Sequence, residues 1–122
     1  MQPGILGVGV DIERIDRFRS PELSNDKALL EKIFTVDELY HCRDYADPAP
    51  HLAVRYAAKE AIIKALAAAG MIVNEFSRIE IKNDKSGIPQ AIIRGQDTDG
   101  MQVHISLSHN VENAVAFAIV TK

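Results

Sequence analysis

The chain is predicted to fold as a single α+β domain spanning residues 1–122. An N-terminal strand and several helices come first, followed by an antiparallel β meander packed on a long helix. Three observations predict this. A short alternating segment at the start gives way to helical spacing and helix-capping residues. An alanine-rich stretch then runs without a break from the prolines near residue 50 to Gly70. From Arg78 onward the apolar period shifts to two, with turn residues between the alternating segments. The length suits one hydrophobic core and not two. A composition 47% hydrophobic and 25% charged is that of an ordinary globular chain, which argues against disorder.

Ile5 to Asp11 reads as the first strand. Leu6, Val8, Val10 and Ile12 fall on one face, which can enter a core, while Gly7, Gly9 and Asp11 fall on the other. The glycine face has almost no side chains, so another backbone or a ligand can approach it closely. Arg14 to Phe18 continues as a helical turn, and Ser20-Pro21 has the form of an N-cap and first helical residue. Asp26 to Ile33 carries helical apolar spacing. Thr35-Val36-Asp37-Glu38 is a capping box, with Phe34 and Leu39 placed to staple it. After the Pro48/Pro50 break, the longest helix runs from about His51 to Ala69. It is rich in strong helix formers and stopped by Gly70, and Leu52, Tyr56, Ile63 and Ala67 share one face. Its alanines imply a neighbouring backbone packed unusually close.

The second half alternates. Ile79 and Ile81 precede the turn Asn83–Gly87, Ile88 to Arg94 returns, and Gln96 to Gly100 turns again. Val103, Ile105 and Leu107 then alternate with His104, Ser106 and Ser108, and Ala114 to Val120 follows the polar break His109–Asn113.

Fourteen basic against seventeen acidic residues give a net charge of −3, so no global field draws the protein to nucleic acid or an anionic membrane. The single cysteine, Cys42, cannot form an internal disulfide. The N-terminus lacks a signal-peptide pattern, and the longest apolar runs are too short to span a bilayer. A cytoplasmic protein is expected.

Chemistry concentrates in two carboxylates far apart in sequence. Asp11 closes the glycine-flanked strand, and Glu60 sits on the long helix four residues before Lys64. Alone, Glu60 and Lys64 are an ordinary surface ion pair. On a helix whose apolar content implies burial, charges need a partner or a task. Mg²⁺ uses one or two protein carboxylates together with substrate phosphates, and Asp11 with Glu60 meets that count. Lys64, and with it Lys59, can neutralise phosphate charge, although the two lysines cannot point the same way. Ser108 beside His109 makes no hydrolytic triad, and His109 taken alone reads as a strand-end histidine satisfied by backbone. The scattered histidines lack zinc spacing, and no Walker-type loop or dinucleotide fingerprint is present.

Taken in order, Gly7-Val8-Gly9-Val10-Asp11-Ile12, Phe34-Thr35-x-x-Glu38-Leu39, Arg55-Tyr56-Ala57-Ala58-Lys59-Glu60-Ala61-x-x-Lys64-Ala65-Leu66, Asn83-Asp84-x-x-Gly87-x-Pro89 and Ser106-Leu107-Ser108-His109 form one set. The set resembles the holo-acyl-carrier-protein synthase family, the small members of the 4′-phosphopantetheinyl transferase superfamily. The resemblance extends from about Gly4 to Val120 and implies the 4′-phosphopantetheinyl transferase fold. The implied reaction moves 4′-phosphopantetheine from coenzyme A to a serine of apo acyl carrier protein and releases adenosine 3′,5′-bisphosphate.

By the same resemblance, Asp11 and Glu60 are Mg²⁺ ligands, and Lys64 contacts phosphate and shares the catalytic role with Glu60. Arg55, Lys59, Lys64, Gly87, Pro89 and His109 are implied to bind coenzyme A, the Asn83–Pro89 segment lying near its adenosine end. Glu60 or a water on the metal is the candidate base for the serine hydroxyl. Glu13 departs from the small synthases, many of which carry an uncharged residue two places after the metal aspartate. In the larger pseudo-dimeric transferases an acidic residue at this spacing helps hold the metal. On a strand, Glu13 shares a face with Asp11 and can be a third ligand; if the chain turns helical at Ile12, it points elsewhere.

Family members of this size are usually homotrimers with active sites at subunit boundaries. Arg17, and after it Arg14, match the docking surface for an acidic carrier protein, although arginines here can equally pair with Glu13, Asp16 and Glu22. Two rival readings remain: another Mg-dependent phosphoryl or nucleotidyl transfer enzyme, and a non-catalytic module that binds coenzyme A or the carrier.

Overall fold

The structure, a computed structural model, describes residues 4–122. Strand β1 (Ile5–Arg14) leads through a 3-10 turn (Ile15–Phe18) into three short helices, α1 (Pro21–Ser24), α2 (Lys27–Ile33) and α3 (Val36–Arg43). The long helix α4 (Ala49–Ala68) follows. A second 3-10 turn (Phe76–Arg78) then opens the strands β2 (Ile79–Asn83), β3 (Pro89–Ile93), β4 (Gln102–His109) and β5 (Asn113–Thr121). The α+β class holds, with the expected helices and strands in the expected order.

The caps are where the residues put them. Asp26 accepts the Leu29 amide at 3.0 Å, and Thr35 and Glu38 close a complete capping box at the start of α3. Ser20 precedes α1 but does not cap it, because its hydroxyl donates to Arg17 O. At the end of α4, Gly70 adopts φ +92°, Met71 N donates to Leu66 O and Gly70 N to Ala67 O, a Schellman stop. The helix begins at Ala49, two residues before the expected start, because Asp47 accepts the Ala49 amide at 3.3 Å.

The four later strands do not make one meander. β2 and β3 form a separate two-stranded hairpin, while β4 and β5 join β1 in an antiparallel sheet of order β1-β5-β4. The connection from β3 to β4 passes through positive φ at Gly95, Asp99 and Gly100, which turns the chain from one sheet to the other.

The inward face of β1 is the reverse of the expectation. Leu6, Val8, Val10 and Ile12 are exposed, and Gly7 and Gly9 face the core. A Cβ on Gly7 would collide with Ala65 O, and one on Gly9 with Ala61 O. The helix can therefore lie against the strand only where the strand has no side chains. α4 answers with alanines. Ala57, Ala58, Ala61 and Ala65 are fully buried with Ile62 and Leu66, opposite Ala116, Ala118 and Val120 of β5. Of the expected stripe, Leu52 is buried in the core, Tyr56 and Ile63 are half-buried on the shoulder of the helix, and Ala67 is exposed. Close backbone approach, not side-chain bulk, defines the buried face.

Candidate active site

The glycine contact sets the position of Asp11. Gly7 lies over Ala65 and Gly9 over Ala61, so two strand residues advance about one helical turn. One more step brings Asp11 beside the turn that carries Ala57, Glu60 and Ala61. Lys64 Nζ donates to Val10 O at 3.0 Å and lies 3.4 Å from Asp11 Oδ1. The other oxygen, Oδ2, is buried and has no hydrogen-bond partner.

β1 stays extended through Arg14, so Glu13 shares the Asp11 face, as the strand alternative required. Burial, followed by the adjacent Asp11 carboxyl, pushes the Glu13 pKa up to about 7, against the opposing pull of Arg17. Glu60 is half-buried. Tyr56, one turn earlier, has its pKa raised by burial and then by the Glu60 charge, with a smaller contribution from Glu13. Asp11, Glu13, Glu60 and Lys64 thus meet around Tyr56 and the middle of α4.

This set fits a hard divalent cation. Oδ2 of Asp11 is a buried carboxylate oxygen without a donor, Glu13 lies beside it, and Glu60 sits on the facing helix next to Tyr56. Among the described residues no group of three or more His, Cys, Asp or Glu side chains encloses a metal by itself. An incomplete protein shell is what Mg²⁺ uses when phosphate oxygens and water supply the rest.

Arg55 and His109 lie on another flank. On α4, Arg55 and His51 together point about 160° around from the mean direction of Tyr56, Glu60 and Lys64, at about 100° per residue. Arg55 is 5% exposed, donates Nη1 to His51 O at 3.1 Å, and leaves Nε buried without a partner. It lines a cavity of about 290 Å³ with His41, Lys82 and Asn83, and His41 Nε2 is also buried and unpartnered. His109 ends β4, its ring 6.3 Å from that of His51. Gly87 turns the β2–β3 hairpin at φ +84°, with Asp84 Oδ1 accepting Ser86 N and Ile88 N, and Pro89 begins β3.

Lys59 is not at either flank. It is fully buried, donating to Glu38 Oε1 at 2.7 Å, Ile79 O at 2.5 Å and Phe76 O at 3.1 Å. Glu38 Oε2 in turn accepts Ile81 N at 2.8 Å. A lysine with three internal acceptors has no donor left for a substrate, so this member of the expected coenzyme A set belongs to the core. Arg17 reaches Glu13 at 2.9 Å and lies 5.0 Å over the Tyr56 ring, while Arg19 is held by Asp16 and Asp47. Arg14 ends β1 on the exposed surface.

The sequence reading missed Tyr56, His41 and His51 as neighbours of functional groups. Tyr56 had a signal in its position four residues before Glu60. The two histidines had none, because their meeting depends on how α3 and β4 pack on α4.

The sequence pattern of the 4′-phosphopantetheinyl transferase superfamily matches residues 7–120. The chain belongs to this superfamily. The holo-[acyl-carrier-protein] synthase of Thermodesulfovibrio yellowstonii is 38% identical over 117 residues, 96% of this chain and 99% of that protein. That of Treponema denticola is 39% identical over 123 residues, covering 95% and 98%. A crystal structure of the Bacillus anthracis synthase in complex with CoA (3′,5′-ADP) superposes with a TM-score of 0.78 at 30% identity, 97% of each chain covered. The Neisseria meningitidis synthase gives a TM-score of 0.80 at 28% identity, over 98% of this chain and 100% of that one. These likenesses place the chain in the holo-acyl-carrier-protein synthase family, whose members are phosphopantetheinyl transferases.

Proposed function

We propose that the protein moves 4′-phosphopantetheine from coenzyme A to a serine of apo acyl carrier protein in a Mg²⁺-dependent reaction, releasing adenosine 3′,5′-bisphosphate. The observation that carries the metal assignment is the buried, unpartnered Asp11 Oδ2 beside Glu13 and Lys64. Asp11 and Glu60 would hold Mg²⁺, with Glu13 the third carboxylate within reach. When bound, Mg²⁺ neutralises the diphosphate and polarises its P–O bonds.

Lys64, an exposed ammonium tethered to Val10 O, presents its charge to phosphate at the rim of this set. Glu60 or a water takes the proton of the serine hydroxyl as its oxygen attacks phosphorus. The new O–P bond forms, the P–O bond toward adenosine breaks, and the bisphosphate leaves with the electron pair. The protein's share is positioning and charge stabilisation. Arg55, Gly87, Pro89 and His109 bind coenzyme A in this reading, with the Asn83–Pro89 hairpin near the adenosine. Arg17 and Arg14 receive the acidic carrier.

The sheet supports a homotrimer. Val10 pairs with Phe117 and Ile12 with Val115, and their outward side chains form an apolar face in which Val10 is 54% and Phe117 43% exposed. Further copies of the chain would cover such a surface. Sites at subunit boundaries also suit a chain that keeps its carboxylates and its Arg55–His109 cluster on different flanks of α4. A cytoplasmic location, with neither nucleic acid nor membrane as partner, completes the reading. It is supported by the net charge of −3 and by the lack, among the described residues, of a helix long and apolar enough to cross a membrane.

Incubation with coenzyme A, Mg²⁺ and an apo carrier protein tests the reading by mass spectrometry of the carrier. The expected result is the added mass of phosphopantetheine, dependent on Mg²⁺. Binding of coenzyme A without mass transfer would leave a binding module, and turnover of simple nucleotides without a carrier would leave a different phosphoryl-transfer enzyme.

A further inference from the structure

His51, in the first turn of α4, sits in a run of rings. Its imidazole stacks on Tyr45 at 3.5 Å and 15°, and meets His109 edge-on at 6.3 Å. His41 closes the far side of Tyr45 at 5.6 Å. The titratable and charged groups facing His51 come from every element around it. They are Asp47 ahead of the helix, Arg55 on it, His41 and Tyr45 from the α3 side, and His109 from β4. Asp47, the one carboxylate among them, is already held by Arg19 at 2.6 Å. Around His51 the cluster therefore gathers three imidazoles and a guanidinium against one committed carboxylate, while Asp37, Glu38 and Glu80 border the cavity that His41 and Arg55 line. Arg55 Nε and His41 Nε2 are buried there without partners. Burial first, and then Arg55, His109 and His41, hold the His51 pKa below the ordinary imidazole value.

We propose that His51 is a positioning residue for the coenzyme A phosphates: its ring packs against His109, its backbone carbonyl holds Arg55, and its imidazole takes up a proton when the polyanion arrives. The inference rests on the assignment of Arg55 and His109 to coenzyme A. Repulsion within the cluster disfavours the imidazolium while the site is empty. Phosphate charge reverses that balance, because an anion within a few ångströms favours the protonated ring. The proton comes from solvent, and no bond in the substrate changes.

Titration calorimetry of coenzyme A into the protein with Mg²⁺, in buffers of low and high ionisation enthalpy, counts the protons taken up. His51→Phe keeps a stacking ring but carries no charge, and His51→Gln is a second variant in case the first packs poorly. Titration of His109 and of the ligand's own phosphates is common to all three proteins and cancels in their ratio. The expected result is fewer protons taken up near pH 6.5 by both variants, with the ratio of variant to wild-type Kd rising about fivefold from pH 8 to pH 6, the size of a well-formed exposed ion pair. Proton uptake and a pH profile identical to wild type would overturn the role of His51 while leaving coenzyme A binding standing. If the wild type does not bind coenzyme A at either pH, the assignment of Arg55 and His109 falls, and this inference falls with it.

Discussion

Lys59 and Lys64 lie five residues apart on one helix, and the molecule uses them in opposite ways. Lys59 is enclosed, with a carboxylate and two carbonyls taking its three protons. Lys64 is half-exposed, tethered to one carbonyl and leaning on a carboxylate whose second oxygen has no partner. The difference teaches how to tell a structural charge from a working one. A completed set of hydrogen bonds marks the first, and an incomplete set at an accessible edge marks the second.

The largest effect is expected on the incomplete side. Asp11→Ala and Glu60→Ala should each lower kcat/KM for transfer at least about a hundredfold, the scale of removing one preorganised charge-stabilising group. Melting temperatures should stay close to wild type. Near-normal rates for either variant at millimolar Mg²⁺ would break the metal assignment.

Lys59→Met should do the reverse. It strands Glu38 in the core and should cost about 3–5 kcal/mol in denaturant unfolding. The double variant Lys59→Met/Glu38→Gln should recover part of that loss. A stable Lys59→Met protein without activity would move Lys59 into the site and erase the contrast.

The apolar sheet face extends the same logic, as another group of surfaces left unsatisfied by one chain. Phe117→Asp should shift sedimentation equilibrium from trimer toward monomer and lower activity with it. A wild type that is monomeric and fully active at micromolar concentration would remove the argument. A smaller change is expected at the rim. Arg17→Glu should raise the carrier KM about fivefold with little change for coenzyme A, and rising salt should narrow the gap. An unaltered carrier KM and salt dependence would place docking on another face.

The smallest effect concerns pH. The folded protein holds the His51 pKa below its unfolded value, so the neutral ring is favoured on folding. That contribution is present above the ordinary imidazole range near pH 6.5 and is lost as pH falls through the lower folded value. The melting temperature of the ligand-free protein should therefore drop between pH 7.5 and pH 5.5. His51→Phe should reduce the drop by a few degrees at most.

Much of this arrangement was legible in the residues. The Thr35–Glu38 box and the Gly70 stop follow from local rules that act within a few residues, whereas the meeting of Asp11 with Lys64 across 53 residues was legible only through the ordered motifs of the family. The orientation of β1 was not. Alternation separates Leu6, Val8, Val10 and Ile12 from Gly7 and Gly9, but a face that other copies can cover has the same composition as a face that meets a core. Lys59 was illegible for a related reason. Its acceptors, Glu38, Phe76 O and Ile79 O, lie 17 to 21 residues away, and nothing near it in the chain announces them. The split of the later strands into two sheets runs through backbone turns at Gly95 and Gly100, and alternation within each strand does not say which strand it will pair with.

The contact of Gly7 and Gly9 with the carbonyls of Ala65 and Ala61 leaves the reaction centre without an adjusting screw. Where side chains separate two elements, one trimmed methyl can be matched by one added across the gap, and neutral drift can wander through such pairs. Here nothing can be trimmed, and anything added pushes the strand outward and carries Asp11 away from Glu60. A library randomised at positions 7 and 9 and selected only for solubility should tolerate some replacements. The same library selected for turnover should return glycine at both, so evolvability is limited by two positions that face a helix backbone.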